Sequence, residues 1–123
     1  MHKTAAIVSL FAFASAQAAT LTYEQAKALA DKDEASLSNP QALVESQGNA
    51  AGPSFAKCPP ESSHPDLSPF TVVMELDKSG KIVRTWLKGS SPIAICFRQQ
   101  MSTKSLFKPP RAPFYTSFEM SWN

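Results

Sequence analysis

Cysteine, glycine and histidine are all scarce in this chain. Two Cys among 123 residues exclude a disulfide scaffold and a four-thiolate zinc site. Four Gly with no regular spacing exclude collagen-like and Gly-linker classes. No apolar run reaches the roughly 18 residues that suggest an ordinary membrane-spanning helix. Neither a G-x-G-x-x-G nor a phosphate-binding loop occurs, so dinucleotide and nucleotide chemistry has no sequence support. The two His are His2 and His64, which leaves little for acid–base catalysis or metal binding. What remains is a chain 43% hydrophobic and 18% charged, the balance of one small globular domain.

The N-terminus reads as an address. His2 and Lys3 precede an apolar stretch from Ala5 to Ala14, and Ala16 and Ala18 form an A-x-A site. Residues 1–18 are therefore expected to be a cleaved signal peptide, with an uncleaved anchor as the alternative. Cleavage leaves no membrane span and places the mature chain in the periplasm or outside the cell. In that oxidising setting Cys58 and Cys96 are expected to pair. Free buried thiols are the alternative. Export also argues against a nucleic-acid partner.

The mature chain divides by charge. Residues 20–69 carry 3 basic and 7 acidic side chains, and residues 70–123 carry 8 basic and 3 acidic. Either the acidic half lies on the basic half, or the difference marks an interaction surface. Residues 19–69 read as a helical arm and a Pro-rich connector. Thr22 and Gln25 form a capping box before a helix over residues 23–35. Pro40 opens a short second helix to Glu45, with Gly48–Pro53 read as loop. Cys58 to Pro69 is extended and turn-rich because each Pro fixes φ and lacks a donor.

Residues 70–123 have the stronger pattern. Phe70, Val72, Met74 and Leu76 alternate on one strand face. Asp77–Gly80 is a turn, and residues 82–88 return as a second strand. There Val83, Thr85 and Leu87 face one way, and Arg84, Trp86 and Lys88 the other. Ser91 and Pro92 start a helix expected to run to Leu106, with Ile93, Phe97 and Met101 on one side and Pro109–Pro110 as the stop. Residues 114–122 form a third strand. The fold class is α+β: a small antiparallel three-stranded sheet in β-β-α-β order with one packed helix, preceded by the helical arm.

Three motifs in order give residues 70–122 a resemblance. They are Asp77-Lys78-Ser79-Gly80-Lys81-Ile82, Gly89-Ser90-Ser91-Pro92-Ile93, and Leu106-Phe107-Lys108-Pro109-Pro110 before an aromatic strand. This stretch resembles the TonB C-terminal domain family, which implies a small antiparallel sheet with a packed helix. The chain departs from energy-transducing members. It has a cleavable-looking signal, no long Pro/Lys spacer, and Cys58 and Cys96.

No catalytic site is expected. His64 lies between Ser63 and Pro65 in the connector, a poor place for an oriented base. No metal site and no cofactor are expected. The basic set offers a binding surface instead. Arg84, Trp86 and Lys88 share a strand face, and Lys108 and Arg111 flank Pro109–Pro110. That face either meets a partner or is covered by the arm, and the Lys108–Arg111 loop is either recognition loop or connector. The functional expectation is a non-enzymatic periplasmic binding or adaptor protein. It would hold a protein or envelope partner through a sheet edge or the basic face. An inhibitor or immunity-type protein of a secreted hydrolase is one alternative, and a membrane-anchored TonB-like transducer is another.

Overall fold

The computed structural model describes residues 21–122. The expected signal peptide, residues 1–18, lies outside them. The order is α1 (Tyr23–Ala35), α2 (Gln41–Ala56), β1 (Phe70–Leu76), β2 (Ile82–Lys88), α3 (Pro92–Met101) and β3 (Phe114–Met120). The three strands form one antiparallel sheet in the order β2-β1-β3. This is the expected α+β class, with the β-β-α-β sequence and the preceding helical arm in place.

Each strand face has its own helices. Phe70, Val72, Met74 and Leu76 are buried with Phe114 in the main core, under α2 and α3. Ile93, Ala94, Phe97 and Met101 supply the α3 side, and Ala50, Ala51 and Phe55 the α2 side. Phe55 stacks on Phe97 with ring centroids 4.2 Å apart. Burying several aromatic side chains, at roughly 1.5–3 kcal/mol each, makes this layer the main source of stability. The opposite face carries a smaller cluster. There Ala26 and Ala30 of α1 seat on Val73 and Tyr115, with Leu21, Tyr23, Leu29 and Trp86 around them.

Cys58 and Cys96 form a disulfide, with Cα atoms 5.8 Å apart and a sequence separation of 38. It ties the end of the connector's first turn to α3. Closing a loop of that size contributes about 3–4 kcal/mol in the chain-entropy account.

Three expectations are corrected. First, α2 is not a short helix followed by a loop. It runs 16 residues to Ala56, with Gly48, Gly52 and Pro53 inside it. Local propensity is overridden because Ala50, Ala51, Ser54 and Phe55 reach the core only if the helix continues. The Ser54 hydroxyl is satisfied by donating to the Ala50 carbonyl at 2.8 Å.

Second, α3 stops at Met101, well before Pro109–Pro110. Lys104–Leu106 turns away because it finds better partners on the hairpin. Leu106 N–H donates to the Gly80 carbonyl at 2.8 Å, and Ile82 N–H donates to the Lys104 carbonyl at 3.1 Å. Gly80 has φ +92°, and a Cβ there would run into the Leu106 and Phe107 carbonyl oxygens.

Third, a bulge alters β2. Glu75 pairs with Arg84 and Leu76 with Ile82, so Val83 is the extra residue. Ile82 is buried in the core and Val83 is 51% exposed, the reverse of simple alternation.

Candidate functional site

The expected basic face is present but covered in part by α1. Trp86 donates its indole N–H to the Leu21 carbonyl at 2.9 Å and lies 6.0 Å from the Tyr115 ring, centroid to centroid. The Arg84 guanidinium stands 6.0 Å from the Trp86 ring and 3.7 Å from a Glu75 carboxylate oxygen. Lys88 Nζ lies 5.8 Å from the Tyr23 ring. The three side chains share one face, yet each has a partner inside the molecule. Glu75 is held between Arg84 and Tyr115, with its side chain 17% exposed.

Arg111 and Lys108 are separated in role by the fold. Arg111 donates to Asp33 and to the Ser36 hydroxyl, both at 2.9 Å, and stands 5.5 Å from the Phe114 ring. It therefore ties the arm to the sheet. Lys108 is exposed and makes no ion pair among the described residues. The two charge halves do touch, through Arg111–Asp33 and through Lys27–Glu119 at 3.2 Å.

The sheet edges were the other expected binding element, and they differ from one another. On β3, Tyr115 N–H donates to Asp33 Oδ2 at 2.9 Å and Ser117 N–H donates to Glu34 Oε2 at 2.9 Å. The Ser117 carbonyl accepts from the Gln47 amide at 3.1 Å. The Thr116 hydroxyl accepts from Gln47 at 3.0 Å and donates to Glu34. Side chains from α1 and α2 thus occupy the groups that an added strand would use.

On β2 the first part of the edge is taken by the 104–106 segment. Beyond it, the Arg98 guanidinium donates to the Thr85 hydroxyl at 2.9 Å and carbonyl at 3.1 Å. The Thr85 carbonyl therefore turns outward, and antiparallel alternation turns the Leu87 N–H and C=O outward as well. Among the described residues no other hydrogen bond reaches the outward backbone groups of this edge from Val83 to Lys88.

Asp33, Glu34, Gln47 and Arg98 were not picked out as site residues from sequence. One signal was available. Two acidic residues at the C-terminal end of α1 oppose the helix dipole, so they need a partner elsewhere. Sequence alone does not say that the partner is a strand edge.

The connector holds His64 among turn contacts. Its N–H donates to the Ser62 hydroxyl at 3.2 Å, and its ring nitrogen lies 3.1 Å from the Ser63 hydroxyl. Asp66 accepts from the Ser68 hydroxyl and N–H, which holds its carboxyl below the usual range. Among the described residues no group of three His, Cys, Asp or Glu side chains is placed to hold a metal ion. No described helix is long and apolar enough to cross a membrane. The site that the geometry singles out is therefore a strip of sheet edge. Comparison with known proteins adds no identification, because no family model, no curated protein and no solved structure matches the chain.

Proposed function

We propose that this chain is an exported, non-enzymatic binding or adaptor protein of the periplasm or cell envelope, built on a TonB C-terminal-like sheet. Its partner contributes an extended segment that adds to the outer edge of β2. The observation that carries this reading is the difference between the two edges. The edge groups of β3 are occupied by Asp33, Glu34 and Gln47, whereas β2 from Val83 to Lys88 has Arg98 alone. Strand addition needs outward backbone donors and acceptors with flanking side chains for specificity. Leu87 supplies the first, and exposed Val83, Arg84 and Lys88 supply the second. The β-β-α-β order from Phe70 to Met120 supports the family resemblance, which rests on the three motifs.

The test is site-specific photo-crosslinking in cells followed by fractionation. A crosslinker at Val83 is expected to give one discrete adduct in the exported fraction. The same group at Val44 on α2 or Glu119 on β3, both exposed, is expected to give none. Equal adducts at all three positions, or none at Val83, would sink the edge reading. A full-length species found only in membranes would sink the exported reading.

A further inference from the structure

A second surface lies at the hairpin end of the sheet, away from the β2 strip and independent of it. Sequence separates Lys78 and Lys81 from Lys104 and Lys108 by more than twenty positions. The fold lays the two segments together. Lys81 and Ser105 form an antiparallel bridge, Leu106 N–H donates to Gly80, and Ile82 N–H donates to Lys104. Lys78, Lys81 and Lys108 are exposed and Lys104 is half-buried. None of the four makes an ion pair among the described residues.

The acid nearest in sequence, Asp77, offsets one of the four positive charges and leaves an excess. Asp77 Oδ1 accepts from the Ser79 N–H at 2.9 Å, the Ser79 hydroxyl at 2.7 Å and the Lys81 N–H at 3.0 Å. Its carboxylate is engaged by the turn. A cluster of like charges brought together at one end costs stability, so it points to an anion outside the chain.

The chemistry of the cluster narrows the anion. All four are lysines, which act as mobile point charges, not as the planar fork that grips one carboxylate or phosphate bidentately. Two clefts lined by Tyr23, Lys27 and Lys88 lie at the other end of the sheet. The hairpin end thus has spread positive charge. That combination fits a fluid array of negative headgroups better than one enclosed ligand. We propose that the Lys78–Lys81–Lys104–Lys108 end docks reversibly on an anionic lipid bilayer.

The test is sedimentation of the protein, as isolated from cells, with vesicles of phosphatidylcholine with or without phosphatidylglycerol. Binding is expected only with phosphatidylglycerol. It should fall as salt rises from about 20 to about 150 mM, where the Debye length shrinks to about 8 Å. The double change Lys78→Gln with Lys108→Gln should weaken binding about 25-fold, from the roughly 1 kcal/mol that each basic residue gains near an anionic leaflet. The double change Lys32→Gln with Lys57→Gln removes the same charge from exposed sites elsewhere and should change binding far less. Equal loss in both pairs would reduce the effect to net charge and overturn the assignment. So would equal binding to neutral vesicles or no binding at low salt. Capture by soluble poly-glutamate without any vesicle binding would assign the surface to an acidic protein instead.

Discussion

The two edges of this sheet solve the same problem by opposite means. The β3 edge is closed by side chains that come from outside the strand. Asp33 and Glu34 end α1, and Gln47 sits in α2, on the other face. They reach around the edge and occupy its backbone groups. The β2 edge is covered only at its start, by the 104–106 segment, and beyond Ile82 it is merely interrupted, by the Val83 bulge and by Arg98. An edge capped by carboxylates cannot accept another strand without first losing charged hydrogen bonds. An edge broken by a bulge and one guanidinium keeps outward groups at Leu87. The acidic end of the arm seals the β3 side of the sheet and leaves the outward groups of β2 beyond the bulge largely unoccupied.

The largest effect should come from opening the sealed edge. Asp33 is buried and serves both Tyr115 N–H and Arg111. Asp33→Ala leaves a buried donor and a cation unpaired, at about 2–4 kcal/mol. Urea unfolding should show that loss, and sedimentation velocity should show new self-association as β3 becomes available. A stable, monomeric Asp33→Ala protein would mean that the cap is ornamental.

A smaller effect is expected on the other edge. Arg98→Met keeps the aliphatic stem but removes two hydrogen bonds to Thr85. The cost should be about 0.5–1.5 kcal/mol, because one acceptor is a backbone carbonyl at an edge that water reaches. In the Val83 crosslinking experiment this variant should keep or raise the adduct yield. A loss larger than that of Asp33→Ala would reverse the ranking of the two edges.

The smallest effect is pH-dependent and separates the arm from the core. Burial pushes the Tyr115 hydroxyl above its ordinary 10.0. A hydrogen bond to Asp31 raises Lys27 above its ordinary 10.5, Glu119 adding to it. In both cases the folded state holds its proton more tightly than the unfolded chain. Stability is therefore fully present below about pH 10 and declines as pH rises through the folded values. Hydrogen exchange or Trp86 fluorescence should report loosening of α1 on alkaline titration before the Phe97 core opens. Simultaneous loss of both layers would show that arm and core form one cooperative unit.

Much of the fold was legible in the sequence, for identifiable reasons. The capping box of Thr22 and Gln25 set the start of α1, and Ser91 with Pro92 set the start of α3. Strict alternation from Phe70 to Leu76 fixed the core face of β1. The ends of elements were less legible. Gly48, Gly52 and Pro53 read as loop because their local preference is weak for helix, and only contact with Phe97 and its neighbours extends α2 through them. Ile82 and Val83 exchanged faces because a bulge depends on the partner strand, not on the strand itself. Of the candidate surface, Arg84, Trp86 and Lys88 were legible as one face. Their cover by α1 and the sealing of β3 were not, since both depend on contacts more than sixty positions apart.

Sequence by itself determined the element order, the hydrophobic face of β1, the helix starts and the presence of two cysteines able to pair. These follow from short-range rules: period-two alternation, capping chemistry and composition. Tertiary structure alone decided the length of α2, which edge of the sheet is closed, and the gathering of four lysines at the hairpin end. Those features depend on which distant segments share space. Local preferences of under about 1 kcal/mol per residue yield to the burial of whole side chains and to charged hydrogen bonds formed across the fold.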